Sequence, residues 1–249
     1  MTFWGLDVYA VFLLFARVGA MVMLLPGFGE AAIPARVRLA FALALTLALT
    51  PMLAPLMPHE PANLGVAMGA LISEIAVGLM LGGVARMLMA ALTTAGEVIG
   101  METGLSFAQT ADPSQGQAGQ VIAIFLGVLG VALIFATDLH HALIAAVVGS
   151  YRVFTPGHLP DVADASELGL RAAGDSFRLG VQIAAPLMLA GVVFRVGLGV
   201  LSRLIPQIQV FFVAMPANVL GGFILLALVL SSGALVWLDR LERFTQTLQ

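Results

Sequence analysis

Few residues in this sequence have the chemistry for catalysis or ligand binding, and they fall into three groups. Asp138, His140 and His141 offer a carboxylate and two imidazoles, the donors of an acid–base or metal site. Adjacent histidines on a helix point about 100° apart, and no second histidine or carboxylate pair follows at i, i+4. A structural role is therefore preferred to a metal site. The second group is Arg17, Glu74, Arg86 and Arg195, each set inside an apolar run. Ionisable residues in lipid are functional candidates by default, and two readings stand: ion or proton coupling in a transporter, or ion pairs between helices. Pairing is preferred, because these are single residues with no ladder of further carboxylates. Glu74 and Arg86 lie more than three turns apart on one helix, so each needs a partner elsewhere.

The third group is the stretch Gly96 to Gln120, where a strongly apolar chain turns glycine-rich, polar and acidic. Gly96, Gly100 and Gly104 fall at i, i+4 and i+8; if helical, they line one face and admit another backbone closely. Glu97 and Glu102 would be costly facing lipid. The stretch reads either as a gate or as an ordinary loop between membrane helices, and composition does not choose. Met80, Met87, Met89 and Met101 offer a deformable seal or plain packing, and packing is preferred. The sequence has no P-loop, nucleophile elbow or HExxH motif. It also has no cysteine, hence no thiol nucleophile, disulfide or cysteine metal site. We expect no enzyme, no catalytic residue, no cofactor and no metal.

The elements that must position these residues are set by composition. Of the residues 60% are hydrophobic and only 10% charged, too little charge to cover a soluble domain of this size. The fold expected is an all-α integral membrane protein. About 20 apolar residues cross a bilayer core, and six stretches come near that: Val8–Leu25, Leu39–Met57, Leu64–Leu92, Val121–Ala136, Phe177–Leu201 and Ala217–Leu238. Alternating strands of a membrane barrel are not seen. No basic patch suggests nucleic acid. Asp7 and Arg17 do not suit a cleaved signal peptide, so the first segment is expected to stay.

The connections refine this picture. Pro26 to Arg38 is a tight turn that makes a hairpin of the first two helices, and Pro51 and Pro55 bend or end the second. The third helix carries Gly78 and Gly82, a further small-residue face, and fades so gradually through Thr93 and Thr94 that it is expected to run past Ala95. Asp138 to Phe154 is placed at the interface or as a re-entrant piece. The polar run Thr155 to Ser176 separates an N-terminal portion, residues 1–154, from a C-terminal portion, residues 177–249. Pro206 and Pro216, with Gln207 and Gln209 between them, predict a broken helical corner. Arginines nearly tie between the two faces, which fixes no orientation.

Four blocks stand out in order: FARVGAMVMLLPGFGEAAIPARVRLAFALALTLALTP (Phe15 to Pro51), GMETGLSFAQTADPSQGQ (Gly100 to Gln117), DLHHALIAAVVGSYRVFTPG (Asp138 to Gly157) and RLIPQIQVFFVAMPANVLGGF (Arg203 to Phe223). Together they resemble the FliR family of flagellar export-gate proteins. The injectisome counterpart is similar. Leu139, Gln209 and Asn218 stand where that family commonly has glycine, asparagine and a basic residue, and no fused FlhB-like domain is expected after Gln249.

The resemblance implies a non-enzymatic subunit of the type III export apparatus, in a helical complex with FliP and FliQ proteins and beside FlhA and FlhB proteins. It implies a place in the bacterial inner membrane within the flagellar basal body, contact with lipid, and passage of unfolded substrates. Residues 1–154 would be FliP-like, residues 155–176 a connector and residues 177–249 a FliQ-like hairpin with its polar tail. The loop 106–120 would plug the closed channel: Ser106 and Phe107 start it and Phe107 seals, while Asp112, Pro113, Gln115 and Gly116 form its movable turn.

Overall fold

The computed structural model describes residues 2–3, 6–30, 32–61, 63–105, 121–205, 207 and 209–248. The plug residues Ser106, Phe107, Asp112, Pro113, Gln115 and Gly116 lie outside them. Among the described residues the regular structure is helical apart from one turn-sized antiparallel ladder, β1 (Thr2–Phe3) on β2 (Leu6–Asp7). Seven α-helices follow among the described residues: α1 (Val8–Leu24), α2 (Ala35–Leu53), α3 (Leu64–Glu102), α4 (Val121–Ala136), α5 (Leu139–Val153), α6 (Val162–Leu204) and α7 (Val210–Gln246).

Local chemistry sets several ends. Asp7 caps α1, its Oδ1 accepting from the Tyr9 N–H at 3.1 Å. A 3-10 turn, Ala54–Leu56, closes α2 where Pro55 cannot continue the ladder. Pro51 stays inside α2. Just before it, the buried Thr46 and Thr50 hydroxyls donate back to the Ala42 and Thr46 carbonyls at 2.7 Å, so the apolar surroundings hold no orphaned hydroxyl. Gly104, with φ +78°, ends α3 in the left-handed region that glycine reaches without strain.

Among the described residues, four helices are long and apolar enough to cross a membrane: α2 with its 3-10 turn, α3, α6 and α7. A fifth span results if α4 and α5, bent by 79° at a short break, are counted as one. The sequence predicts six spans; the difference lies in α1, whose 17 residues fall short of a crossing, and in α4, which shares its span with α5. Three helices, α3, α6 and α7, are longer than their apolar runs. At 39 residues α3 continues through Glu102, as its gradual loss of apolar character implies. The 43 residues of α6 begin at Val162, so most of the expected polar connector 155–176 is helix. Helix α6 ends at Leu204 and α7 starts at Val210, and Pro216 sits within α7.

The chain forms two compact units. The first comprises Met1–Leu88, Leu133–Gly174 and Arg240–Gln249; the second comprises Met89–Ala132 and Asp175–Asp239. In the first, Ala10, Leu13 and Leu14 of α1 pack with Leu53, Met57, Ala70 and Tyr151. Helices α1 and α3 meet at glycine: a Cβ on Gly78 would lie 2.5 Å from the Arg17 carbonyl oxygen, and one on Gly82 would lie 2.9 Å from that of Met21. In the second unit Gly96 of α3 lies directly against the Ala123 backbone of α4, and Gly222 of α7 against Thr103. These contacts are too close for any side chain, which is how helices gain dispersion contact when lipid removes the hydrophobic drive.

Candidate functional site

The most polar buried point of the first unit is built on Arg17 and Glu74. Both side chains are fully buried, and neither charge is tolerable there alone. Arg17 Nε donates to Glu74 Oε2 at 2.7 Å and Nη2 donates to Oε1 at 3.1 Å, the two-pronged pairing that a planar guanidinium favours. The remaining groups are also engaged. Arg17 Nη1 donates to the carbonyls of Ser150 at 3.2 Å and Phe154 at 3.1 Å, and the Gly157 N–H donates to Glu74 Oε1 at 2.7 Å. The guanidinium lies 4.1 Å from the centre of the Tyr151 ring, adding a cation–π contact. One charge-balanced node thus ties α1 to α3, to the end of α5 and to the turn that follows it. Gly157, at φ +77°, gives the turn the backbone conformation that aims its N–H at the carboxylate.

The other two sequence-selected arginines also find carboxylates. Arg86 Nη1 meets Glu30 Oε1 at 3.0 Å in the first unit, and Arg195 Nη2 meets Glu102 Oε2 at 2.6 Å in the second. Both pairs are partly open, with Arg86 45% and Arg195 57% exposed, so they carry less than the buried node. Glu102 ends α3. Its backbone carbonyl accepts from Asn218 Nδ2 at 3.1 Å, and Gly191 leaves room for its carboxylate. Beside it Thr103, Phe194 and Gly222 help line a cavity of 130 Å³.

Of the glycine series, Gly96 and Gly100 are buried in α3, whereas Gly104 stands past the helix end and lies outside that face. The left-handed turn at Gly104 takes it off the i, i+4 rows. Met89 packs on Gly130, while Met101 is exposed. Because Gly96 lies against Ala123, the helices leading into and out of the 106–120 stretch are packed on each other close to its base.

Asp138, His140 and His141 come closer together than helical spacing suggests. One donor atom of each lies within 4.8 Å of the others, and the two imidazole centres are 4.0 Å apart. His140 and His141 both lie in the first turn of α5, while Asp138 stands just before it as the N-cap residue with φ 57°.

Sequence reading missed Glu30, Gly157, Asn218 and the Ser150 and Phe154 carbonyls as partners. Glu30 and Gly157 had a signal: both lie beside glycine or proline breaks that bring a turn back to a helix end. The carbonyls had none.

The comparisons with known proteins agree with one another. The family model described as Bacterial export proteins, family 1, matches residues 8–244. The flagellar biosynthetic protein FliR of Caulobacter vibrioides is 49% identical over 234 residues, covering 94% of this chain and 93% of the relative. Those of Pectobacterium carotovorum and Escherichia coli are 32% and 29% identical, covering 87% and 85% of this chain and 82% and 80% of the relatives. The order of the four sequence blocks, the apolar helices and these matches leave one assignment: the chain belongs to the FliR family of bacterial flagellar export proteins, as a membrane-embedded component.

Proposed function

We propose that this chain is a structural and gating subunit of the type III protein export gate in the bacterial inner membrane. It would assemble with FliP and FliQ proteins, next to FlhA and FlhB proteins, around the path of unfolded flagellar substrates. The observation that carries this reading is near full-length similarity to a flagellar biosynthetic protein, 49% identical over 94% of the chain.

The gating role falls to 106–120. Its stems are held by the Gly96–Ala123 contact and by the Asn218 bond to Glu102 at 3.1 Å, so the helices at its base form a firm mount for a segment that must move. Phe107 would seal and Asp112 to Gly116 would turn; Pro113 and Gly116 suit a turn by their backbone limits. The mechanism is steric and needs no bond chemistry. Residues 1–154 would serve as the FliP-like portion and residues 177–249 as a FliQ-like hairpin.

Coupled transport of ions or protons is the weaker reading. Both oxygens of Glu74 accept hydrogen bonds from Arg17, and one accepts from Gly157 as well. A carboxylate so committed suits a fixed joint better than a proton carrier, which must exchange partners.

Co-purification tests the proposal. The tagged full chain, extracted in mild detergent from cells expressing the neighbouring export proteins, should bring FliP and FliQ proteins with it. Recovery as a stable monomer free of both would count against it.

A further inference from the structure

We propose that Asp138, His140 and His141 form a binding site for a divalent transition metal ion of the zinc class, at the corner between α4 and α5. Two imidazole nitrogens and one carboxylate oxygen are the mixed donor set such borderline ions take, with the fourth tetrahedral position left to water.

Geometry supports this before any ion is added. A donor atom of each residue lies within 4.8 Å of the others. Asp138 Oδ1 and His141 Nδ1 are 3.8 Å apart, too far for a hydrogen bond, yet close to the roughly 3.4 Å that separates two ligands of one tetrahedral zinc with bonds near 2.0–2.1 Å. Rotation of two exposed side chains closes the difference, since Asp138 is 81% and His141 72% exposed.

Two further features bear on the site. Aspartate at a helix N-cap normally accepts from a backbone N–H of the first turn. Asp138 makes no such bond, and its backbone lies at φ 57°, the left-handed region that aspartate reaches more readily than most residues. Its carboxylate is turned to the histidines instead. His140, packed at 5.1 Å from the Phe135 ring, keeps its Nδ1 buried with no hydrogen-bonding partner. A polar nitrogen shut off from water without a partner is rare in a folded chain.

Phe135 belongs to α4, and the two histidines sit in the first turn of α5. An ion held here would tie the short link to α5 and stiffen the 79° corner.

The experiment is a titration of the full-length chain, purified in detergent without a polyhistidine tag and stripped with chelator, using Co²⁺ as a visible probe. One saturable Co²⁺ per chain is expected, displaced by Zn²⁺ and indifferent to excess Mg²⁺. His141→Ala should weaken it by about ten-fold or more, since even indirect losses of ligand support reach that size. Because His141 is largely exposed, that variant should keep its helical circular dichroism, and Asp138→Asn gives a second check with the same shape. His59→Ala and His158→Ala should bind as the parent does. Absence of a saturable band, a band unchanged in both His141→Ala and Asp138→Asn, or a band lost on changing His59 or His158 would overturn the site.

Discussion

Arg17 and Glu74, 57 positions apart, close a fully buried two-pronged ion pair, with Nε–Oε2 2.7 Å and Nη2–Oε1 3.1 Å. What surrounds the pair decides its weight. The Ser150 and Phe154 carbonyls and the Gly157 N–H bond to it too, so removing either charge breaks a joint shared by three helices and a turn.

Breaking such a pair from one side leaves a buried, unmatched charge and costs about 3–5 kcal/mol. Glu74→Gln and Arg17→Met should each lower the yield of folded protein and its resistance to denaturant in detergent. Replacing both by apolar residues should recover only some of the loss, because three backbone groups lose partners at about 1–3 kcal/mol each. If Glu74→Gln instead folds and assembles normally while an ion-coupled activity disappears, Glu74 is a carrier and the structural reading fails.

The α1–α3 contact offers a test with an internal control. A Cβ at Gly78 would stand 2.5 Å from the Arg17 carbonyl oxygen, whereas one at Gly83 would meet nothing within 4 Å. Gly78→Leu should destabilise the protein by about 1–3 kcal/mol, the usual range for overpacking. Gly83→Leu should be near neutral. Thermal unfolding of the two variants in one detergent compares them; equal loss would mean that the glycine contact does not form.

The Arg195–Glu102 pair should matter far less than its short distance suggests. Arg195 is 57% exposed, and pairs of that kind contribute about 0–1 kcal/mol. Arg195→Ala should change unfolding little. Gly191→Ala should also change it little, since the added methyl meets only the end of the Glu102 side chain, which can turn aside, and alanine suits a helix better than glycine. A denaturant series of the two variants is the readout, and a large loss in Arg195→Ala would contradict the weak-pair reading.

Much of this was legible in the sequence, for reasons that particular residues make plain. The bounds of α4 follow from an unbroken apolar run from Val121 to Ala136, ended by Thr137 and Asp138. The continuation of α3 past Ala95 was readable because apolar character fades gradually and no proline intervenes before Gly104. The start of α6 was not, since Val162 to Ser176 is polar on most sides and helical periodicity is weak there. Its local signs are Asp161, which accepts from the Ala163 N–H at 2.8 Å as an N-cap, and the i, i+4 pair Glu167–Arg171. At the buried node, sequence named Arg17 and Glu74 as residues in need of partners but could not join them. Nor could it name the backbone groups of Ser150, Phe154 and Gly157, which carry no side-chain signature. The nearness of Asp138 to the histidine pair had no sequence sign, since Asp138 stands outside α5 at φ 57°.

The gate itself is tested most directly by the leak of the closed state. Ala111 to Gly116 should be shortened in a strain whose export complex still assembles, as judged by co-purification, and membrane permeability to small solutes measured in the absence of export. The expected result is normal assembly with a raised ion conductance. An assembled complex with unchanged conductance would contradict the assignment of 106–120 as the plug.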